Sequence, residues 1–112
     1  MNRPTRFYSN KQEKQVAKVV GGRQTANSGA TAFSKGDVST SDWLIECKTS
    51  TSEKASFSIK RDWLDKNKEE AFAMNKDHNA LCFDFGPNTE RYYIVDEKTF
   101  LKLKEGLKDD YV

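Results

Sequence analysis

Histidine is almost missing from this chain: His78 is the only one in 112 residues. That excludes a Cys/His zinc cluster and leaves no Ser-His-Asp triad to assemble. Its place in the polar run KDHN predicts a surface side chain in a turn. Cysteine is nearly as scarce. Cys47 and Cys82 each stand inside an apolar, strand-like run (WLIECK and ALCFDF), where cysteine behaves as a small buried hydrophobe, so reduced structural thiols are expected. No apolar run approaches the ~20 residues of a membrane span. The N-terminal MNRPTRFYSNKQEK lacks the hydrophobic stretch of a secretory leader, which makes the cytosol the expected compartment. A mean hydropathy of −0.86 and 32% charged residues describe a well-hydrated surface. With 36% hydrophobic and 12% aromatic residues there is still enough for one core, and the length suits one domain over 1–112.

Acid is the next shortage. Residues 1–36 hold seven bases (Arg3, Arg6, Lys11, Lys14, Lys18, Arg23 and Lys35) and a single acid, Glu13. The remainder carries twelve bases and sixteen acids, so a net +6 third precedes a net −4 remainder. A basic segment of this kind suits a polyanion, since each phosphate contact releases counterions and adds sequence-independent affinity. An ordinary basic surface is the alternative.

Residues 1–8, with Pro4, read as a basic arm. SNKQEKQVAKVV predicts a helix capped by Ser9, with Val16, Ala17, Val19 and Val20 on its apolar face, ended by Gly21-Gly22. The Gly/Ser-rich stretch over 21–31 predicts a mobile loop, followed by a strand from about Thr31 or Ala32 to Val38. STSD then turns the chain into Trp43–Thr49, the clearest strand pattern present. The extended ASFSI follows, then a helix from Lys60 to Asn75 with Trp63, Leu64, Ala71, Phe72 and Met74 facing inward. ALCFDF (80–85) and Arg91–Val95 predict two more strands around a Gly86-Pro87-Asn88 turn, and Asp96 caps a last helix. The order α-β-β-β-α-β-β-α without repeats predicts an α/β (α+β) fold, one mixed central sheet flanked by helices.

Within the hairpin lies the chemistry. Strand side chains alternate, so Glu46 and Lys48 share one face while Ile45 and Cys47 point to the core. A turn centred between Ser41 and Asp42 sets Asp37 directly across from Glu46, with Cβ atoms about 4.5–5.5 Å apart. Two carboxylates at that separation repel unless a cation lies between them. Asp42 stands about 13 Å from Glu46 along an extended chain and belongs to the turn. A hard cation, Mg²⁺ or Mn²⁺, is expected on Asp37, Glu46 and the backbone carbonyl of Cys47, with water completing its shell. Lys48 beside it would orient or deprotonate water and stabilise negative charge on a phosphoryl group.

Asp37 followed by Glu46-Cys47-Lys48 resembles the signature of the PD-(D/E)xK, or restriction-endonuclease-like, nuclease superfamily. An acid-bearing helix before the motif, the segment ANSGA, the WLIE run, and a helix then strand after it agree with that pattern. Gly36 stands where the motif's name has proline. Size and element order most resemble the small archaeal and phage-type Holliday junction resolvases. The resemblance implies a Mg²⁺-dependent endodeoxyribonuclease that leaves 5′-phosphate and 3′-hydroxyl ends. It also implies a homodimer making paired cuts in four-way junction DNA, in the host cytoplasm if phage-encoded.

The family's helix acid falls on Glu13, in line with Ala17 and Val20, as a catalytic residue and further metal ligand. The alternative for Glu13 is an acid favoured by the helix dipole. Ser28 matches a serine of the resolvases' mobile loop near the scissile phosphate; a plain linker is the other reading. Lys60 and Arg61 start a helix beside the site, either as phosphate contacts or as a solvated helix end. Arg3, Arg6, Lys11, Lys14, Arg23, Ser28, Lys35 and Lys60 are thus the expected DNA contacts. Trp63, Phe83, Phe85, Tyr92 and Tyr93 fit core packing better than base stacking. Thr49 and Ser50 either bond a phosphate or simply end the strand. Two readings compete with junction resolution: another structure-selective, repair or restriction-like nuclease, and a non-catalytic nucleic-acid-binding domain on a nuclease scaffold.

Overall fold

The computed structural model describes residues 5–25 and 37–110. Helix α1 (Thr5–Val20) leads into β1 (Arg23–Gln24), β2 (Asp37–Ser39) and β3 (Trp43–Lys48). Helix α2 (Arg61–Ala73), β4 (His78–Phe83), β5 (Tyr92–Ile94) and α3 (Glu97–Asp110) complete the chain. The five strands form one mixed sheet in sequence order, every neighbouring pair antiparallel except β3 and β4. Parallel neighbours need a long crossover, and α2 supplies it. No described helix is long and apolar enough to cross a membrane.

Both faces of the sheet are covered. Val16 of α1 is fully buried against Val38, Ile45, Cys47, Ala80 and Cys82, with Ala17 and Val20 at the margin. Cys47 and Cys82 are free, buried thiols on directly adjacent strands. The other face carries Leu44 and Leu81, each fully buried, beneath the buried Asn67 and Ala71 of α2. Glu46 and Lys48 share that second face, so the expectation that the core lies only on the Ile45/Cys47 side is corrected. A crossover helix must lie against its sheet, and α2 encloses the face that carries the charges.

The element order matches α-β-β-β-α-β-β-α, but its members differ from expectation. ASFSI adopts no strand; the extra one is Arg23–Gln24, inside the stretch predicted as loop. Gly22 allows that close pairing, since a Cβ there would meet the Ser39 carbonyl oxygen at 2.5 Å. Residues 5–8 are helical rather than an arm, and Ser9 lies inside α1, donating to the Arg6 carbonyl instead of capping. Gly21, at φ 72°, ends α1 as expected. Of the strand predicted from about Thr31, only Asp37 onward falls within the described residues.

Three apolar assignments also change. Val19, Phe72 and Met74 are 66%, 83% and 40% exposed. The polar residues Gln12 and Asn67 take buried positions instead. Asn67 donates to the Leu44 carbonyl and accepts from Asn79, which satisfies it beneath the helix. His78 opens β4 and its ring lies 4.8 Å from that of Trp43, so it is a half-buried strand residue rather than a loop one. Asp96 does cap α3: it accepts from the Thr99 N–H at 2.8 Å, which lowers its pKa to about 2.

Candidate active site

The register of the β2–β3 hairpin is the one its turn predicts, with Asp37 opposite Glu46, Val38 opposite Ile45 and Ser39 opposite Leu44. Thr40 organises the turn: its hydroxyl accepts from the backbone N–H groups of Asp42 and Trp43. Asp42 stays in that turn, its carboxylate bonded to Thr40. Lys48 reaches back along its own strand to Glu46, Nζ to Oε2 being 3.2 Å. Asp37, Glu46 and Lys48 therefore meet on one face of two adjacent strands.

A fourth charged group joins them that the sequence motif does not mark. Glu70 lies on the sheet-facing side of α2, three and seven residues beyond Asn67 and Trp63, and hydrogen-bonds Asp37. The available signal was helical spacing: 63, 67, 70 and 71 form one stripe, which places Glu70 over the hairpin once α2 covers that face.

Asp37 is the most perturbed acid among these. It is 2% exposed, and its Oδ1 is buried with no hydrogen-bond partner among the described residues. Burial first, then the bond to Glu70 and repulsion from Glu70, Glu46 and Glu13, push its pKa up to about 10. Its carboxyl is accordingly protonated at neutral pH. Burial also raises Glu46, outweighing the attraction of Lys48. Glu13 is half-buried and raised for the same reason, although it accepts a hydrogen bond from Gln24 at 3.1 Å. Its charge reaches both Asp37 and Cys47, so the helix acid does lie beside the hairpin. The Cys47 thiol is held protonated by its bond to Cys82 and by burial, leaving only a backbone oxygen of that residue to offer a cation.

Stability should therefore depend on pH in a defined direction. The unfolded Asp37 releases its proton near 3.8 and the folded one near 10. Between those values the folded state holds a proton that the unfolded state lacks, so stability is greatest at low pH and falls as pH rises. Glu13 and Glu46 act with the same sign. Urea unfolding in EDTA should show a loss of at least about 2 kcal/mol between about pH 5 and about pH 9. Millimolar Mg²⁺ should reduce that loss; a flat profile would contradict the assigned burial of Asp37.

Do these residues suit a cation? Among the described residues no group of three or more His, Cys, Asp or Glu side chains forms a ready-made cage. A hard ion that keeps most of its waters needs only one or two carboxylates. The Asp37 Oδ1 is buried beside other acids and has no hydrogen-bond partner among the described residues. The donor set, all oxygen, fits Mg²⁺ or Mn²⁺.

A second polar network anchors this end of β3. Gln12 of α1 donates to the Lys48 carbonyl at 2.7 Å and to Asp84 at 3.2 Å. Asp84, itself buried, also accepts from the Thr49 hydroxyl and from the Gly86 N–H. The Thr49 hydroxyl thus ends the strand. Neither Gln12 nor Asp84 carried a signal in sequence, being 72 positions apart.

The expected DNA contacts divide. Arg3, Ser28 and Lys35 lie outside the described residues. Arg6, Lys11 and Lys14 are exposed along α1, and Arg23 is exposed on β1. Lys60 comes to the site, because its Nζ and that of Lys48 stand 5.7 and 4.5 Å from the centre of the Trp63 ring. Trp63 packs with Phe57, which stacks on Phe83, and Phe83 on Tyr92. These rings form a satellite cluster beside the face that carries Glu46 and Lys48, with Tyr92 45% exposed; Tyr93 lies on the opposite face of the sheet and is 41% exposed.

No family model, curated protein or solved structure matches this chain at a significant level.

Proposed function

We propose that this protein is a Mg²⁺- or Mn²⁺-dependent DNA endonuclease that hydrolyses backbone phosphodiesters, with the four-way junction as its substrate. The observation that carries the reading is Asp37 set across from Glu46, with Lys48 paired to Glu46 and a buried Asp37 oxygen left unsatisfied. Asp37, Glu46 and the Cys47 carbonyl would hold the cation, with Glu70 and Glu13 adding negative charge around Asp37. When bound, the ion supplies Lewis-acid polarisation of a phosphoryl oxygen and neutralises developing charge.

The chain's own groups perform the rest. Lys48 is held between a carboxylate and an aromatic ring, which fixes an ammonium beside the site. From there it orients a water by hydrogen bonding and offsets charge building on the phosphate oxygens. Trp63 shields one side of that ammonium from solvent. Lys60 and the exposed bases of α1 supply phosphate contacts that position the duplex without reading its sequence. A junction requires two symmetric cuts, which a twofold dimer provides.

The test is cleavage of a synthetic four-way junction, a matched duplex and a flap at low salt with Mg²⁺, using Glu46→Gln as the control. The expected result is paired nicks in the junction at least about tenfold faster than in the duplex, since shape rather than base contacts would select it. Faster cleavage of duplex or flap would make this a nuclease of a different substrate class. Tight binding with no metal-dependent cleavage of any arm would leave only a DNA-binding domain.

A further inference from the structure

Helix α3 is the least embedded element of the described fold. Every residue from Glu97 to Leu107 except Thr99 is exposed, including Phe100 (55%), Leu103 (48%) and Leu107 (62%). Those three follow one another at i, i+3 and i+7, so they form a single stripe. An apolar stripe on a fourteen-residue helix has no stabilising role while it faces water.

Beside it runs an open groove of about 790 Å³, lined by Val19, Val20, Trp43, Ile45, Tyr93 and Val95. Leu103 borders the groove, so stripe and groove make one continuous apolar surface. Among the described residues the one charged side chain lining it is Asp42, whereas Lys104 of α3 flanks the stripe.

We infer that this surface binds a second copy of the chain, each protomer laying α3 into the groove of the other about a twofold axis near Leu103. The arrangement is self-complementary, as an isologous contact must be: the element donated and the groove that receives it belong to the same chain. Charge agrees, with Lys104 beside the stripe placed to meet the partner's Asp42 at the groove edge. Area agrees as well. A helix of this length is about 21 Å long and about 10 Å across, so seating half of its lateral surface covers about 330 Å². Giving one helix and receiving another buries about 660 Å² per protomer, close to the roughly 800 Å² of a standard interface. The contact is made away from Asp37 and Glu46 and does not rest on the nuclease reading.

The experiment is sedimentation equilibrium of the full chain with two substitutions, Val19→Lys in the groove and Leu107→Lys on the helix. Both positions are more than 60% exposed. Lysine is a good helix former, so far-UV circular dichroism should be unchanged. Wild type at about 50 µM should sediment near twice its 12.8 kDa, and each variant should raise the dimer dissociation constant at least about tenfold. An equimolar mixture of the two variants should associate more tightly than either alone, because it restores one intact helix-in-groove pair. A monomeric wild type overturns the inference, and so does a dimer unaffected by Val19→Lys, which would mean pairing of helix with helix. Binding of monomeric wild type to phosphatidylglycerol vesicles would overturn it in favour of a lipid surface.

Discussion

Replacing Asp37 by asparagine is expected to make the protein more stable and inactive at once. Asparagine keeps the shape of the side chain and can donate a hydrogen bond to Glu70 without carrying a titrating group. Wild type must take up a proton at this site to fold at pH 8, against an unfolded pKa of 3.8 and a folded one of about 10. Each unit of such a shift corresponds to about 1.4 kcal/mol, so removing part of it should stabilise the metal-free protein by about 2–4 kcal/mol at that pH. For a domain of this size the midpoint of thermal unfolding should rise by roughly 10 °C. The same substitution removes the anionic oxygen expected to hold the cation, and Mg²⁺ should no longer raise the melting temperature. Calorimetry with and without Mg²⁺ checks both halves. A destabilised Asp37→Asn protein would mean that this carboxyl is not under electrostatic stress.

Glu46→Gln should lower kcat/KM for DNA cleavage by about 10³-fold, mostly in kcat, the scale of losing one charge-stabilising group. The side chain is 14% exposed and pairs, among the described residues, with Lys48, 31% exposed. Losing a partly screened pair costs little stability, on the order of 1 kcal/mol or less. Lys48 would keep its place over Trp63. Removing a negative charge that faces the phosphate should leave DNA affinity unchanged or tighter in Ca²⁺, measured by gel shift. The decisive pattern is therefore retained fold, retained binding and lost turnover. Cleavage that persists in Glu46→Gln would remove this residue from the chemistry.

Much of the candidate site was legible because a hairpin is local. The turn residues between Ser39 and Trp43 set the register, and alternation then places Asp37, Glu46 and Lys48 on a common face. Glu70 was not legible, because it belongs to the site only through the path of α2 across the sheet. The same path explains Phe72, whose apolar character suggested burial although it lies opposite the inward stripe, while Met74 is in line with the stripe but stands past the last residue of α2, Ala73. Lys60 reaches the site by sharing the Trp63 ring with Lys48, a contact that no spacing within the helix implies.

By itself the sequence determined the mixed class of the fold, the hairpin register, the end of α1 at Gly21 and the Asp96 cap. Each depends on interactions spanning a few residues, where periodicity and turn chemistry suffice. Only the tertiary structure decided which face is enclosed, which acids share a proton and which apolar helix face is left outward. Those outcomes depend on groups brought together from distant positions, such as Gln12 with Asp84 or Asp37 with Glu70, and on the dielectric that their packing creates. The carboxylate that the motif marks first, Asp37, is an ordinary aspartate in sequence. Burial beside Glu70 and Glu46 is what turns it into an acid that keeps its proton at neutral pH.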